Sequence, residues 1–488
     1  MSDWVPTVFL DPRSVEPVYL QIAHALMREI HRGRFGPGDP LPGYRTLAEQ
    51  LGVSRNTVLA AYAELRTEGW LTAAPGERSA VAAQRPVHLP RGGLEAAPAP
   101  LPPQGIGFDL DGGAGAQPSG IRRGVLEMAS GIPDPRLIPN AALARAYRRA
   151  LSSPRRAGAA EEPQGHRRLR EALVRMLSGT RAVATSPERV LVARGSQMAI
   201  VLVAQALLAP GDAVAVEALG GHGAWEAFAR AGARCLPVPV DEDGLRVEAL
   251  EILLAQGPLR AVLVTPQRQY PTLAVLSAAR RARLLELAEA HRFAVLEVDQ
   301  DSEFQFDGRP QAPLAARDRA GVVVHVGTLS KVFSPDLRLA FVTGPAPLIQ
   351  RMVEVRGALD RHGEQALEQA MAELMEEGEL QRHLNRMVQA YRSRRDALCQ
   401  ALKSELGEEV VAEPPAGGVA LWVRTGNGLD VDAWAARALE QGVAFRPGRL
   451  FAFDGRPVPA LRMGFANYPE AEMEEAARRM RTALRELR

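Results

Sequence analysis

The apolar positions change period along the chain, and the changes divide it. In residues 15–83 they recur at helical spacing. YLQIAHALMREIHRG (19–33) and TLAEQL (46–51) read as amphipathic helices, the second placing Leu47, Ala48 and Leu51 on one face. Gly52 supplies a turn and Ser54 an N-cap, its hydroxyl meeting free amides of the next helix. SRNTVLAAYAELRTEGWL (54–71) then buries Val58, Ala61, Tyr62 and Leu65. LTAAPGERSAVAA (71–83) predicts a hairpin around Pro75-Gly76. Residues 85–125 are dominated by Pro, Gly and Ala and offer too little large apolar surface to fold, so they read as a linker.

Beyond the linker, short β-branched runs alternate with amphipathic stretches. RVLVAR (189–194), AVAVE (213–217), AVLVTP (261–266), AVLEVD (294–299) and VVVHVG (322–327) predict strands. SQMAIVLVAQALL (196–208) and SAARRARLLELAEAHR (277–292) predict helices between them. This alternation implies an α/β body with a mostly parallel sheet, whose ligands sit beyond the carboxyl ends of strands. Long helices follow, then VALWVRT (419–425) and ALRMGFA (460–466), a smaller α+β C-terminal lobe. The expected division is a mainly α head (1–84), a flexible linker (85–125) and a body (126–488).

Composition narrows the classes. At 488 residues, 46% hydrophobic and 24% charged, the chain is globular with more than one core. A net charge of +2 gives no long-range attraction to nucleic acid or membrane. Cys235 and Cys399 form neither a disulfide scaffold nor a metal site and fit a reducing compartment. The start, MSDWVPTVFLDPRS, lacks signal-peptide character, and no apolar run is long enough to span a bilayer. A soluble, cytoplasmic protein with no membrane partner is expected.

The chain has 57 arginines and only two lysines, Lys331 and Lys403. Arginine replaces lysine as a surface cation, but not where an amine must lose its proton and attack a carbonyl. Lys403 lies in the polar segment ALKSELGEE, whereas Lys331 follows VVVHV and a Gly-Thr-x-Ser turn at a strand end. A leftover surface residue is the bland alternative; the setting points to chemistry or ligand binding.

In the head, Arg55, Asn56 and Thr57 open the second helix of the pair on its exposed face. Such a start suits the major groove: an Arg fork for guanine, an Asn amide for adenine, hydroxyls for phosphate. Residues 1–85 hold nine arginines and nine acids, so binding needs Arg45, Arg55 and Arg78 clustered toward phosphates. A helical protein-docking module is the alternative. The stretch PVYLQIAHALMREIHRGRFGPGDPLPGYRTLAEQLGVSRNTVLAAYAELRTEGWL resembles the GntR-type winged helix-turn-helix over nearly its whole length. That resemblance implies binding of double-stranded DNA through Arg45, Ser54, Arg55, Asn56 and Thr57. Gly43 stands where the family usually has a phosphate-contacting Ser.

The body resembles a fold-type I aminotransferase, and with the head attached the chain is similar to MocR-type regulators. RGSQMA (194–199), PQRQYPT (266–272), DSEF (301–304), GTLSKVFSPDLRLAF (327–341), RPGRLF (446–451) and LRMGFA (461–466) carry the likeness. It implies that Lys331 bonds covalently to pyridoxal phosphate, that Thr328, Ser330 and Arg338 hold its phosphate, and that Arg462 grips an effector carboxylate. It also implies a homodimer. Several positions depart from the family. Val298 replaces the Asp that pairs with the pyridine nitrogen, and Gln300 the Tyr that bonds the ring hydroxyl. Gly221 replaces the aromatic cover, Arg268 a His, Leu273 a Gly and Ala160 a Tyr. Asp299 is one residue from the Asp position, and in a strand that offset turns it to the other face.

Without a carboxylate at its nitrogen the cofactor loses its electron sink. Three readings remain for the site: weak cofactor binding without turnover, another phosphorylated or carboxylated ligand, or a body kept only for dimerisation. The expected function is a DNA-binding transcriptional regulator that dimerises and senses a small ligand, with catalytic residues: none, and pyridoxal phosphate bound weakly or not at all. The rival is an active aminotransferase tethered to DNA.

Overall fold

A computed structural model describes residues 10, 16–72, 79–83, 124–129, 131–152, 162–426 and 428–487. The chain divides into two compact units, Met1–Ala116 and Gln117–Arg488. Most of the expected linker, the Pro75-Gly76 turn, Arg78 and Ala160 lie outside the described residues.

The first unit holds three helices, Val18–His31, Tyr44–Leu51 and Arg55–Thr67, and a two-stranded antiparallel wing, Leu71–Thr72 with Ala80–Val81. Ile22, Leu26, Leu47, Val58, Tyr62, Leu65 and Trp70 form its core. Gly52, at φ +64°, turns the second helix into the third without the strain a side chain would suffer there. The third helix stops at Thr67, four residues short of the expected Leu71. Gly69 adopts φ +79° and the Trp70 amide bonds back to Leu65, so the chain leaves the helix and Leu71 enters the wing.

In the second unit a seven-stranded sheet runs in the order Val190–Ala193, Ala340–Thr343, Val323–Thr328, Ala294–Asp299, Ala261–Val264, Ala213–Glu217, Arg234–Val238. All pairings are parallel except the two made by Ala340–Thr343, a strand that periodicity did not predict. Buried on both faces, AFVT lacks the polar alternation of a half-exposed strand, and it carries one valine where the equally buried strands Val190–Ala193 and Ala261–Val264 carry two. Leu296, Val298, Val324 and Val326 pack with the helix Ser196–Leu207 on one face, and Val295 and Val323 with the helix Ala278–His291 on the other. A four-stranded antiparallel sheet, Val410–Val411, Ala420–Thr425, Ala460–Gly464 and Arg446–Pro447, forms the smaller lobe against the long helix Glu379–Leu406. Among the described residues no helix is long and apolar enough to cross a membrane.

Candidate functional site

The head presents its chemistry at the start of the third helix. Ser54 caps it, its Oγ accepting the Thr57 amide at 3.1 Å and meeting the Thr57 hydroxyl at 2.8 Å. Arg55 and Asn56 stand exposed in the first turn. Thr57, expected on the exposed face, is half-buried because its amide and hydroxyl both close on Ser54. Arg45 is exposed on the second helix, and neither Arg45 nor Arg55 forms an ion pair with a described residue. These two guanidinium groups and the Asn56 amide are therefore available to phosphates and base edges.

The body's site lies where three parallel strands end. Gly327 and Thr328, expected in a turn, are the last two residues of Val323–Thr328 and pair with Phe341 and Ala340. The Phe341 ring occupies the place a Cβ on Gly327 would need, which accounts for the glycine. The turn follows, carrying Ser330 and Lys331. Thr328 Oγ1 and Ser330 Oγ both donate to the Leu339 carbonyl, at 3.2 and 3.4 Å. Arg338 is exposed at φ +46°, and its Nε would lie 3.1 Å from a Cβ on Gly195, which opens the helix Ser196–Leu207. Two hydroxyls, both already donating to Leu339, and a guanidinium beside a helix start are the groups that this part of the site offers an anion.

Lys331 is half-buried, and its Nζ donates to the Gly131 carbonyl at 3.1 Å. Burial, reinforced by the positive charge of Arg462, lowers its pKa to about 8. Arg462 is buried on the lobe strand Ala460–Gly464, its guanidinium 4.8 Å from the Tyr270 ring centre. Desolvation lowers its pKa, and its Nε is buried with no hydrogen-bond partner among the described residues. Lys331, Arg462, Val298, Gln300 and Asp301 line one cavity of about 20 Å³, room for roughly one water.

A cofactor fits this site only in part. Arg338, the helix start and the Lys331 amine are chemically suited to the phosphate and the carbonyl carbon of pyridoxal phosphate. The ring end does not: Val298 is an apolar core residue beside the helix Ser196–Leu207. Asp299 turns away, 3.3 Å from Arg181 and accepting the Ser302 amide at 3.2 Å. Gln300 is half-buried in the cavity wall. A Cβ on Gly221 would sit 3.9 Å from the Tyr270 ring. Leu273 keeps a glycine-like φ of +67°. Arg268 donates through Nη2 to the Phe304 carbonyl at 2.9 Å, with Nε 3.9 Å from Asp301.

Residues 18–81 match the model of the bacterial regulatory proteins of the gntR family, and residues 123–480 match aminotransferase class I and II. Along its full length the chain is similar to the probable rhizopine catabolism regulatory protein MocR of Rhizobium meliloti, 29% identical over 97% of this chain and 95% of that protein. It is 30% identical to the HTH-type transcriptional regulator TauR of Rhodobacter capsulatus, over 99% of each. The chain belongs to the MocR-type transcriptional regulators. The body alone is similar to the solved structure of LysN, an alpha-aminoadipate aminotransferase from Thermus thermophilus, with 32% identity and a TM-score of 0.69 over 75% of this chain and 93% of that one.

Within this MocR-type body, three contributing residues escaped sequence reasoning. Glu217 ends its strand buried, accepting the Thr265 amide at 3.1 Å and hydroxyl at 2.7 Å. Thr265 Oγ1 in turn accepts the Tyr270 amide at 2.9 Å, so Glu217 fixes the loop bearing Tyr270. Burial raises the Glu217 pKa to about 7. Its signal was an acid closing a β-branched run at the ligand edge. Gln267 is buried with Nε2 unpartnered. Arg446 sits directly across the lobe sheet from Arg462; no local sequence signal reports that pairing.

Proposed function

We propose that the body of this MocR-type regulator is a dimerising, ligand-responsive module that does not transfer amino groups. Two heads, contacting DNA through Arg45, Ser54, Arg55, Asn56 and Thr57, then respond to a small effector. Lys331, Thr328, Ser330 and Arg338 retain some affinity for a phosphate-bearing ligand, and Arg462 takes a carboxylate. The observation that carries this reading is Val298, packed in the core where the family's carboxylate stands, with Asp299 drawn off to Arg181. An isopropyl group cannot hold the charge of a protonated pyridine, so the electron sink that transamination needs is not supported. Function in the cytoplasm follows from DNA as the partner.

Absorption spectroscopy of the purified protein, with and without added pyridoxal phosphate, tests this. The expected result is a faint visible band that dialysis removes, strengthened by Val298→Asp with Gln300→Tyr, and no amino-group transfer. A yellow protein that keeps its colour and transaminates added amino acids overturns the reading. That outcome would favour a working aminotransferase tethered to DNA. The 34% identity to the 2-aminoadipate transaminase of Thermus thermophilus, over 75% of this chain and 91% of that enzyme, and the retained Lys331 speak for this rival.

A further inference from the structure

The Lys331 cavity is rich in cations and in donors that lack acceptors. Arg462 and Arg446 are directly opposed across adjacent antiparallel strands, a pairing of like charges that destabilises a sheet unless an anion joins them. Arg462 Nε and Gln267 Nε2 are both buried without a hydrogen-bond partner. The Gln267 amide is oriented by Arg281, whose Nη2 faces its Oε1 at 3.5 Å, which leaves the NH2 group for another acceptor. Arg268, at a position where the family's His would be neutral or singly charged, adds a guanidinium whose side chain is 8% exposed. Among the described residues its one ion pair is the long one to Asp301, at 3.9 Å. Against Lys331, Arg268 and Arg462, with the exposed Arg446 nearby, the described lining of the cavity has two acids, Asp301 and an Asp299 already paired with Arg181. Buried cations and orphaned N–H groups are tolerated where an anion completes them.

We propose that the effector is a small dicarboxylic acid, one carboxylate taken by Arg462 and Lys331 and the other by Arg268 with the Gln267 amide. The inference rests on the ligand-responsive reading above and adds the ligand's chemical class. Binding is by ion pairing, with no covalent step. At about 20 Å³ the cavity is too small for such an acid, so its binding requires the walls to part; Gln267 and Arg268 also line the wider cleft of about 870 Å³ outside it. Arg268 is placed to feel that movement. Carried by the loop after the body strand Ala261–Val264, it lies against the backbone of Gly417 and Gly418 at the lobe's edge and is bonded to the carbonyl of Phe304, whose side chain packs in the lobe's core. The Gly418 amide donates to the same Phe304 carbonyl at 2.8 Å. A second carboxylate meeting Arg268 therefore acts at the joint between the two parts.

Calorimetric titration of the full-length protein with succinate, glutarate and adipate, each against the monocarboxylate of equal chain length, tests the proposal. At least one diacid is expected to bind about tenfold or more tightly than its monoacid, the increment of one charge-assisted contact. Arg268→His should erase that preference, bringing each diacid to the affinity of its monoacid. Arg462→Gln should weaken both classes. Equal binding of diacids and monoacids, or a preference that survives Arg268→His, overturns the dicarboxylate proposal and leaves the ligand-responsive reading standing. No binding by either class overturns the dicarboxylate proposal, and the ligand-responsive reading then stands or falls on the pyridoxal phosphate titration alone.

Discussion

At the residue scale, the scarcity of lysine singled out Lys331, and the chain places that amine at the end of a buried strand beside Arg462. What burial does to it is testable. An amine withdrawn from water loses stabilisation of its charged form, and a nearby guanidinium disfavours a second positive charge, so both effects lower the pKa, here to about 8. Lysine ordinarily titrates near ~10.4. Labelling with a small amine-reactive reagent, read by peptide mass spectrometry, should therefore reach half its maximal rate at Lys331 near pH 8. The rate falls below that pH as the amine protonates and levels off above it. An inflection near pH 10 would mean that the amine is solvated and that the neighbouring charge does not reach it. The same scale shows what sequence could not give. The Val298 substitution was readable by counting back from DSEF, and strand parity gave the direction of Asp299. The orphaned Gln267 amide and the facing pair Arg446 and Arg462 depend on contacts between segments far apart in sequence.

At the element scale, the third helix couples stability to recognition through one residue. Ser54 satisfies the Thr57 amide and fixes the first turn from which Arg55 and Asn56 project. Ser54→Ala should cost about 1 kcal/mol of head stability, the usual loss of an N-cap, and should weaken DNA binding as a consequence. Arg55→Ala should leave thermal stability unchanged, since Arg55 is exposed, and cost about 1–3 kcal/mol of specific binding. Denaturation curves alongside anisotropy titrations separate the two; an Arg55→Ala variant that binds its operator like the parent removes Arg55 from base reading. The helices of this chain were legible from their apolar period and the buried strands from their β-branched runs. The antiparallel strand Ala340–Thr343 was not: it is as uniformly buried as Val190–Ala193 and Ala261–Val264 but carries one valine where each of those carries two. The end of the third helix at Thr67 was missed because Gly69 acts through backbone conformation, which the periodicity of Trp70 and Leu71 concealed.

At the scale of the whole molecule, a nearly neutral head must obtain its affinity from something other than net charge. Residues 1–85 carry nine arginines and nine acids, so non-specific attraction to phosphates is small and one head alone should hold DNA poorly. If the body dimerises and the Pro, Gly and Ala-rich residues 85–125 behave as the tether their composition predicts, each head is a second ligand held at high local concentration. A flexible tether of that length has a root-mean-square span of roughly 35 Å, about one turn of B-DNA. Two half-sites a turn apart are then within reach of both heads without strain. Binding the second head costs little translational entropy, and joint binding should exceed single-head binding by about 10²–10⁴. Anisotropy titration of the full-length regulator on duplexes carrying two half-sites or one measures the ratio directly. If the tether is slack, as its composition predicts, an added full turn between half-sites should reduce affinity only modestly, whereas deleting about half of the tether should make the same insertion severe. Equal affinity for one and two half-sites would show that the heads act singly. Severe loss on adding one turn to the intact protein would show that residues 85–125 hold the heads at a fixed separation.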